Sequence, residues 1–277
     1  MILLHLTIVA LYGLAAWALW PAAVGGAGGV QAADTHALRP SPALANWFIP
    51  LALVLHAYQL AARTFTPAGL DLSLDNALSV VAGLVALVAW FSGLLRTMPA
   101  IATVVLPVAA VASLLPELTT RSHPFPYADQ PWAAVHVAVA LIAYALFLVA
   151  ALQALVLMGL EKRLRHRLPD PSTDAMPPLL TLERFLFRLI GLGFVLLTLT
   201  LASGFLFSEP VFGKPFVLTH KSIFSVFGWL TFGGLLWGRW RYGWRGRIAL
   251  RWILAGTIFI FLAYLGYKFV LEVILGR

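Results

Sequence analysis

Three of the seven histidines stand where an imidazole is chemically conspicuous. His56 lies inside the apolar run Val54-Leu55-His56-Ala57-Tyr58. His136 follows Trp132 in Trp132-Ala133-Ala134-Val135-His136-Val137, and His220 stands in Leu218-Thr219-His220-Lys221. An ionisable group among apolar residues is costly to bury and is a functional hypothesis by default. An imidazole there can ligate a metal, relay a proton or hydrogen-bond a neighbouring helix. The other four read as ordinary: His5 near the start of an apolar stretch, and His36, His123 and His166 in polar connections.

The elements that must carry these residues follow from composition. Of 277 residues, 61% are apolar and 11% charged, about half the charged fraction of a water-soluble domain. The mean hydropathy is +0.90. The apolar residues fall in stretches of about 17–25, the length that crosses a hydrocarbon core of about 30 Å. Backbone polar groups there must be satisfied internally, so the stretches are helices. The expectation is an all-α polytopic membrane protein of about eight transmembrane helices, forming one membrane domain over residues 1–277. The helices are expected near 2–20, 43–62, 72–92, 98–115, 132–158, 185–206, 217–237 and 249–274. Pro21 with Gly25, Gly26, Gly28 and Gly29, Pro67-Ala68-Gly69, and the prolines at 116, 124, 126, 131, 169, 171, 177 and 178 punctuate them. Stretch 217–237 is the weakest, and Pro107 predicts a kink in the fourth.

Basic residues set the expected orientation. Lys162, Arg163, Arg165, Arg167, Arg184 and Arg188 cluster in one connection, and Arg239, Arg241, Arg245, Arg247 and Arg251 in another. Those eleven are most of the nineteen Lys and Arg, so both loops are expected on the cytoplasmic side. Eight crossings then put both termini outside, with loops 63–71, 116–131 and 207–216; Arg63 and Arg121 run against the rule. Trp47, Trp132, Trp240 and Trp244 fall near expected interfaces, where indoles favour the headgroup level.

In that topology the fifth and seventh helices both begin outside, which brings His136 and His220 to a similar height. Two imidazoles converging on one plane suit a six-coordinate haem iron. They would equally hold a small metal ion, although no carboxylate or third histidine joins them. A structural hydrogen bond between helices remains open for each. Ala140, Ala143 and Phe147 follow His136 on its helical face, and Phe224, Phe227 and Thr231 follow His220. Such faces line a flat ligand or serve close helix packing.

Several classes are excluded or disfavoured. With no cysteine there are no disulfides, thiolate metal sites or iron–sulfur clusters. The net charge of +8 is accounted for by a basic membrane face and anionic lipid, and no nucleic acid is expected. Nothing resembles a nucleophile–base pair or a pair of catalytic carboxylates, so no enzyme is expected. Lys268 and Glu272, four apart, are expected to neutralise each other. With His56 and Arg63 they carry the alternative reading, a small-solute or divalent-cation transporter or its accessory subunit. A scaffold for another membrane complex is a third reading.

A resemblance sharpens the first reading. His56-Ala57-Tyr58 with Arg63 and Leu74-Asp75-Asn76-Ala77-Leu78-Ser79 form one stretch, and His136-Val137 with Ala143-Tyr144-Ala145-Leu146-Phe147 a second. The third runs from His220-Lys221-Ser222 through Trp229, Trp240-Arg241 and Gly243-Trp244-Arg245-Gly246 to Tyr264-Leu265-Gly266. In these the chain resembles the CcsA/HemX-type cytochrome c assembly family, most closely its bacterial inner-membrane YpjD branch. The resemblance implies an inner-membrane protein that binds or handles haem non-covalently (haem b), or assists cytochrome c biogenesis beside other membrane proteins. It implies an outer haem ligand at His136 and an intramembrane histidine at His56. His220 falls where synthases of the family carry a tryptophan-rich motif. Here Phe207 to Lys221 contains no tryptophan, and no histidine follows His220, so synthase activity is not implied.

Overall fold

The computed structural model describes residues 2–24, 41–66, 69–71, 73–94, 99–118, 124–125, 131–165, 179–206 and 219–270. The helices are α1 (Ile2–Val24), α2 (Pro42–Thr64), α3 (Leu74–Leu94), α4 (Pro99–Ala112), α5 (Leu115–Leu118), α6 (Pro131–Arg165), α7 (Leu179–Leu206), α8 (His220–Tyr242) and α9 (Gly246–Phe261). Beyond α9 the helical path continues through a π turn, Leu262–Gly266, into Tyr267–Phe269. Pro42, Pro99 and Pro131 each open a helix, a position that asks for no backbone donor. Pro107 stands inside α4 and Pro50 inside α2.

Among the described residues six helices are long and apolar enough to cross a membrane, and Ile101–Glu117 is a shorter apolar segment. Helix α8 is not among them, in keeping with its Lys221, Arg239 and Arg241. The outside of the bundle is oily: Leu3, Trp47, Val54, Val111, Trp132, Phe205 and Trp240 are all more than half exposed. Water would penalise that surface, whereas acyl chains accept it. The protein is all-α and polytopic. Trp244, expected at an interface, is half-buried, its ring lying against Trp252 at 5.1 Å between centroids.

Neighbouring helices alternate in direction, and particular contacts fix this. His5 of α1 and Arg63 of α2 both reach Glu117 of α5, which puts the start of α1 beside the ends of α2 and α4. A small antiparallel sheet, absent from the sequence-based expectation, ties the adjoining connections together. Strand β1 (Phe65–Thr66) pairs with β2 (Gly69–Asp71), and β2 pairs with β3 (Pro124–Phe125). The ion pair gives Arg63, which ran against the expected charge rule, a local counter-charge in Glu117.

Helices α1 to α4 form one group and α6 to α9 another, joined where α3 packs on α6. In the second group Phe147 of α6 stacks on Phe232 of α8 at 3.9 Å, both fully buried. Glycines let the α8–α9 pair close. A Cβ on Gly238 would come within 2.3 Å of the Trp244 ring, and one on Gly256 within 2.8 Å of Phe232. The turn between them uses Gly243 and Gly246 at φ +65° and +52°, a region that disfavours side chains. Arg239 braces this turn by donating to Glu183 of α7 at 2.6 Å and to the Trp244 carbonyl at 3.1 Å.

Candidate functional site

Helix α6 begins at Pro131, so His136 lies about a turn and a half inside it, facing the last turn of α7. There Nδ1 of His136 lies 2.7 Å from the Ser203 hydroxyl. Ser203 in turn donates to the Thr200 carbonyl at 3.1 Å. A hydroxyl has one proton, and here the carbonyl, a pure acceptor, takes it. Ser203 must then accept from His136, so Nδ1 carries the ring proton and Nε2 keeps its lone pair. Among the described residues Nε2 has no hydrogen-bond partner. An imidazole oriented through one nitrogen and free at the other is the arrangement a metal-ligating histidine needs.

His136 lines a cleft between α6, α7, α8 and the π turn, with a volume of about 70 Å³. Ala140, Ala143 and Phe147 run down one wall, as the helical spacing from His136 suggests. Thr200, Ser225 and Tyr264 add polar edges, and Lys221 brings a cation. The Lys221 ammonium sits 5.4 Å above the Tyr264 ring, a cation–π distance. Tyr144 holds the π turn: its hydroxyl accepts from the Tyr264 amide at 3.1 Å and faces the Phe261 carbonyl at 3.5 Å. A side-chain hydroxyl inserted into a helical ladder is a known cause of such a turn, and π turns gather at functional sites.

His220 is exposed on the first turn of α8, just after the cap Thr219, whose hydroxyl accepts from the Ser222 amide at 3.3 Å. The residues of α8 that line the cleft are its neighbour Lys221 and, one turn on, Ser225. His136 and His220 therefore share one end of the bundle, but among the described residues only His136 borders the cleft.

His56 is elsewhere, in the first helix group. It is 1% exposed, with Nδ1 3.2 Å from the Tyr12 hydroxyl and Nε2 2.9 Å from the Ser79 hydroxyl. Both nitrogens are occupied, one as donor and one as acceptor, and α1, α2 and α3 are tied together. Gly83 faces the ring at van der Waals distance. His36, His123, His166 and the Lys268–Glu272 pairing fall outside the described side chains. No group of three or more His, Asp or Glu side chains suited to a metal ion occurs among the described residues. Sequence reading passed over Ser203, and it placed Lys221, Tyr144 and Tyr264 only in the stretches that carry the resemblance, with no role of their own.

Comparison with known proteins decides the family. The family described as Cytochrome C assembly protein matches residues 44–275. The chain belongs to that family. Among cytochrome c assembly relatives, "Inner membrane protein YpjD" of Escherichia coli K12 is 32% identical over 231 residues, covering 81% of this chain and 85% of its own. "Cytochrome c biogenesis protein CcsA" of Thermosynechococcus vestitus is 28% identical over 209 residues, covering 61% of this chain and 66% of its own. An uncharacterised 28.8 kDa protein of Azospirillum brasilense is 37% identical over 145 residues, covering 52% and 54%. No solved structure matches significantly. The family's YpjD branch and the run of apolar helices together assign a multi-pass inner-membrane location.

Proposed function

We propose that this member of the cytochrome c assembly family takes haem non-covalently at the outer end of its second helix group, with His136 as an axial ligand. The observation that carries the reading is the Thr200–Ser203–His136 chain of hydrogen bonds. It leaves Nε2 as a lone-pair donor on a cleft otherwise walled by small and aromatic side chains. Haem is a cargo or ligand here, held for a haem protein under assembly, and no bond-making step falls to this chain.

The donor set fits haem better than the space does. One neutral imidazole and one ammonium on the same cleft match an iron and an acidic edge. A volume of about 70 Å³ is well below the roughly 300–1,000 Å³ of small-molecule sites, so α6 and α8 must part for a macrocycle to enter. His220 stands at the same end, one residue from the cleft wall, and is the second ligand this reading names. His56 has a structural role in this reading, because both its nitrogens are spent on Tyr12 and Ser79. That use of His56, and the pairing of Arg63 with Glu117, removes two of the features that motivated the transporter alternative; the third, Lys268–Glu272, lies outside the described side chains.

Titration of the purified protein with hemin, followed by absorbance, tests the proposal. Saturable binding that weakens at least tenfold in His136→Ala is expected. Binding indifferent to that change would overturn it.

A further inference from the structure

At the end opposite His136, α6, α7 and α9 part around a second and larger cavity of about 240 Å³. Its floor is apolar, built by Ala154, Leu186 and Ile253, and its rim is charged, carrying Glu161, Glu183, Arg245 and Arg247. Met158 both lines it and is 40% exposed, so the cavity communicates with the lipid-facing surface. Nothing in the proposed haem reading uses this site.

The charge at the rim is not balanced. Glu183 is held by Arg239 at 2.6 Å, and Glu161 has a partner of its own. Arg245 and Arg247 are exposed, and among the described residues neither has an ion pair. Two uncommitted guanidiniums above an apolar pocket, at the end where basic residues concentrate, match a molecule with a phosphate head and a hydrocarbon tail. Basic pockets between transmembrane helices hold anionic headgroups in this way. A guanidinium suits the task because its fork pairs with two phosphate oxygens at once.

We propose that this cavity is a binding site for an anionic phospholipid, its phosphate between Arg245 and Arg247 and the first part of one chain over Ala154 and Ile253.

Native mass spectrometry of the detergent-purified chain tests this, with phosphatidylglycerol and phosphatidylcholine of identical chains added in parallel. Preferential retention of phosphatidylglycerol is expected, falling about fivefold or more in Arg245→Gln/Arg247→Gln. Arg241→Gln/Arg251→Gln removes the same charge at the same end but outside the cavity, and should leave retention intact. Ala154→Phe fills the floor while sparing both arginines and should lower retention, which keeps the test decisive if the arginine pair disturbs insertion. Inorganic phosphate at millimolar concentration should not compete; displacement by it would point to a free-anion site and overturn the lipid assignment. Equal retention of both lipids, or equal loss in the two arginine pairs, would reduce the site to general charge attraction and also overturn it.

Discussion

The hydroxyl of Ser203 lies 2.7 Å from Nδ1 of His136 and gives its own proton to the Thr200 carbonyl. That relationship fixes the imidazole as the Nδ1–H tautomer. It joins the last turn of α7 to the start of α6 and aims a basic nitrogen at a cleft. Removing the hydroxyl should therefore act on the ligand through the histidine. Ser203→Ala is expected to weaken hemin binding about tenfold, in the range of lost outer-sphere partners. Ser203→Thr, which keeps the hydroxyl, should recover most of it. Equilibrium titration of both variants checks this; equal loss in the two would mean that packing, not the hydrogen bond, matters.

His56 makes the opposite prediction. Its ring joins Tyr12, Ser79 and α2 inside the first helix group, and it is 1% exposed. His56→Ala strands two hydroxyls and opens a cavity, at a cost of about 2–3 kcal/mol. Thermal unfolding in detergent should fall accordingly while hemin affinity holds. Lost affinity at unchanged stability would assign the residue to the ligand instead.

The α8–α9 hairpin closes over glycine. Gly238→Ala would drive a Cβ to 2.3 Å from the Trp244 ring, which also lies against Trp252. The indole must move, and overpacking of this kind costs about 1–3 kcal/mol. A lower melting temperature with a changed Trp fluorescence maximum is expected, whereas Gly13→Ala, with open space around it, should do neither.

Arg239 of α8 ties the same turn to α7. Its guanidinium donates to Glu183 at 2.6 Å and to the Trp244 carbonyl at 3.1 Å, and lies 4.5 Å over the Phe187 ring. Arg239→Ala should cost about 2 kcal/mol, as for hydrogen bonds to charged groups. Arg239→Lys should restore only part, since an ammonium lacks the planar face that lies over the Phe187 ring. A double-mutant cycle with Glu183→Gln measures the shared portion.

The helices were legible because hydropathy and length determine them nearly alone in a membrane, and Pro131, among the punctuating prolines, marked one start. The sheet was not legible: strands of two or three residues carry no alternating pattern to read. Height along the bundle was also readable, so His136 and His220 were expected at one end and are found there. Rotation was not. One residue turns a helix by about 100°, and α8, apolar on several sides, gives no sharp face to orient it. Hence Lys221 rather than its neighbour lines the cleft. The partners of His56 were hidden for another reason: Tyr12 and Ser79 are 44 and 23 residues away, and only packing brings them together.

The most direct test of the account is the visible spectrum of the protein isolated from cells supplied with ample haem, recorded oxidised and reduced. A Soret band that sharpens on reduction is expected in the wild type, retained in His56→Ala and abolished in His136→Ala. A band that survives in His136→Ala, or none in any preparation, would contradict it.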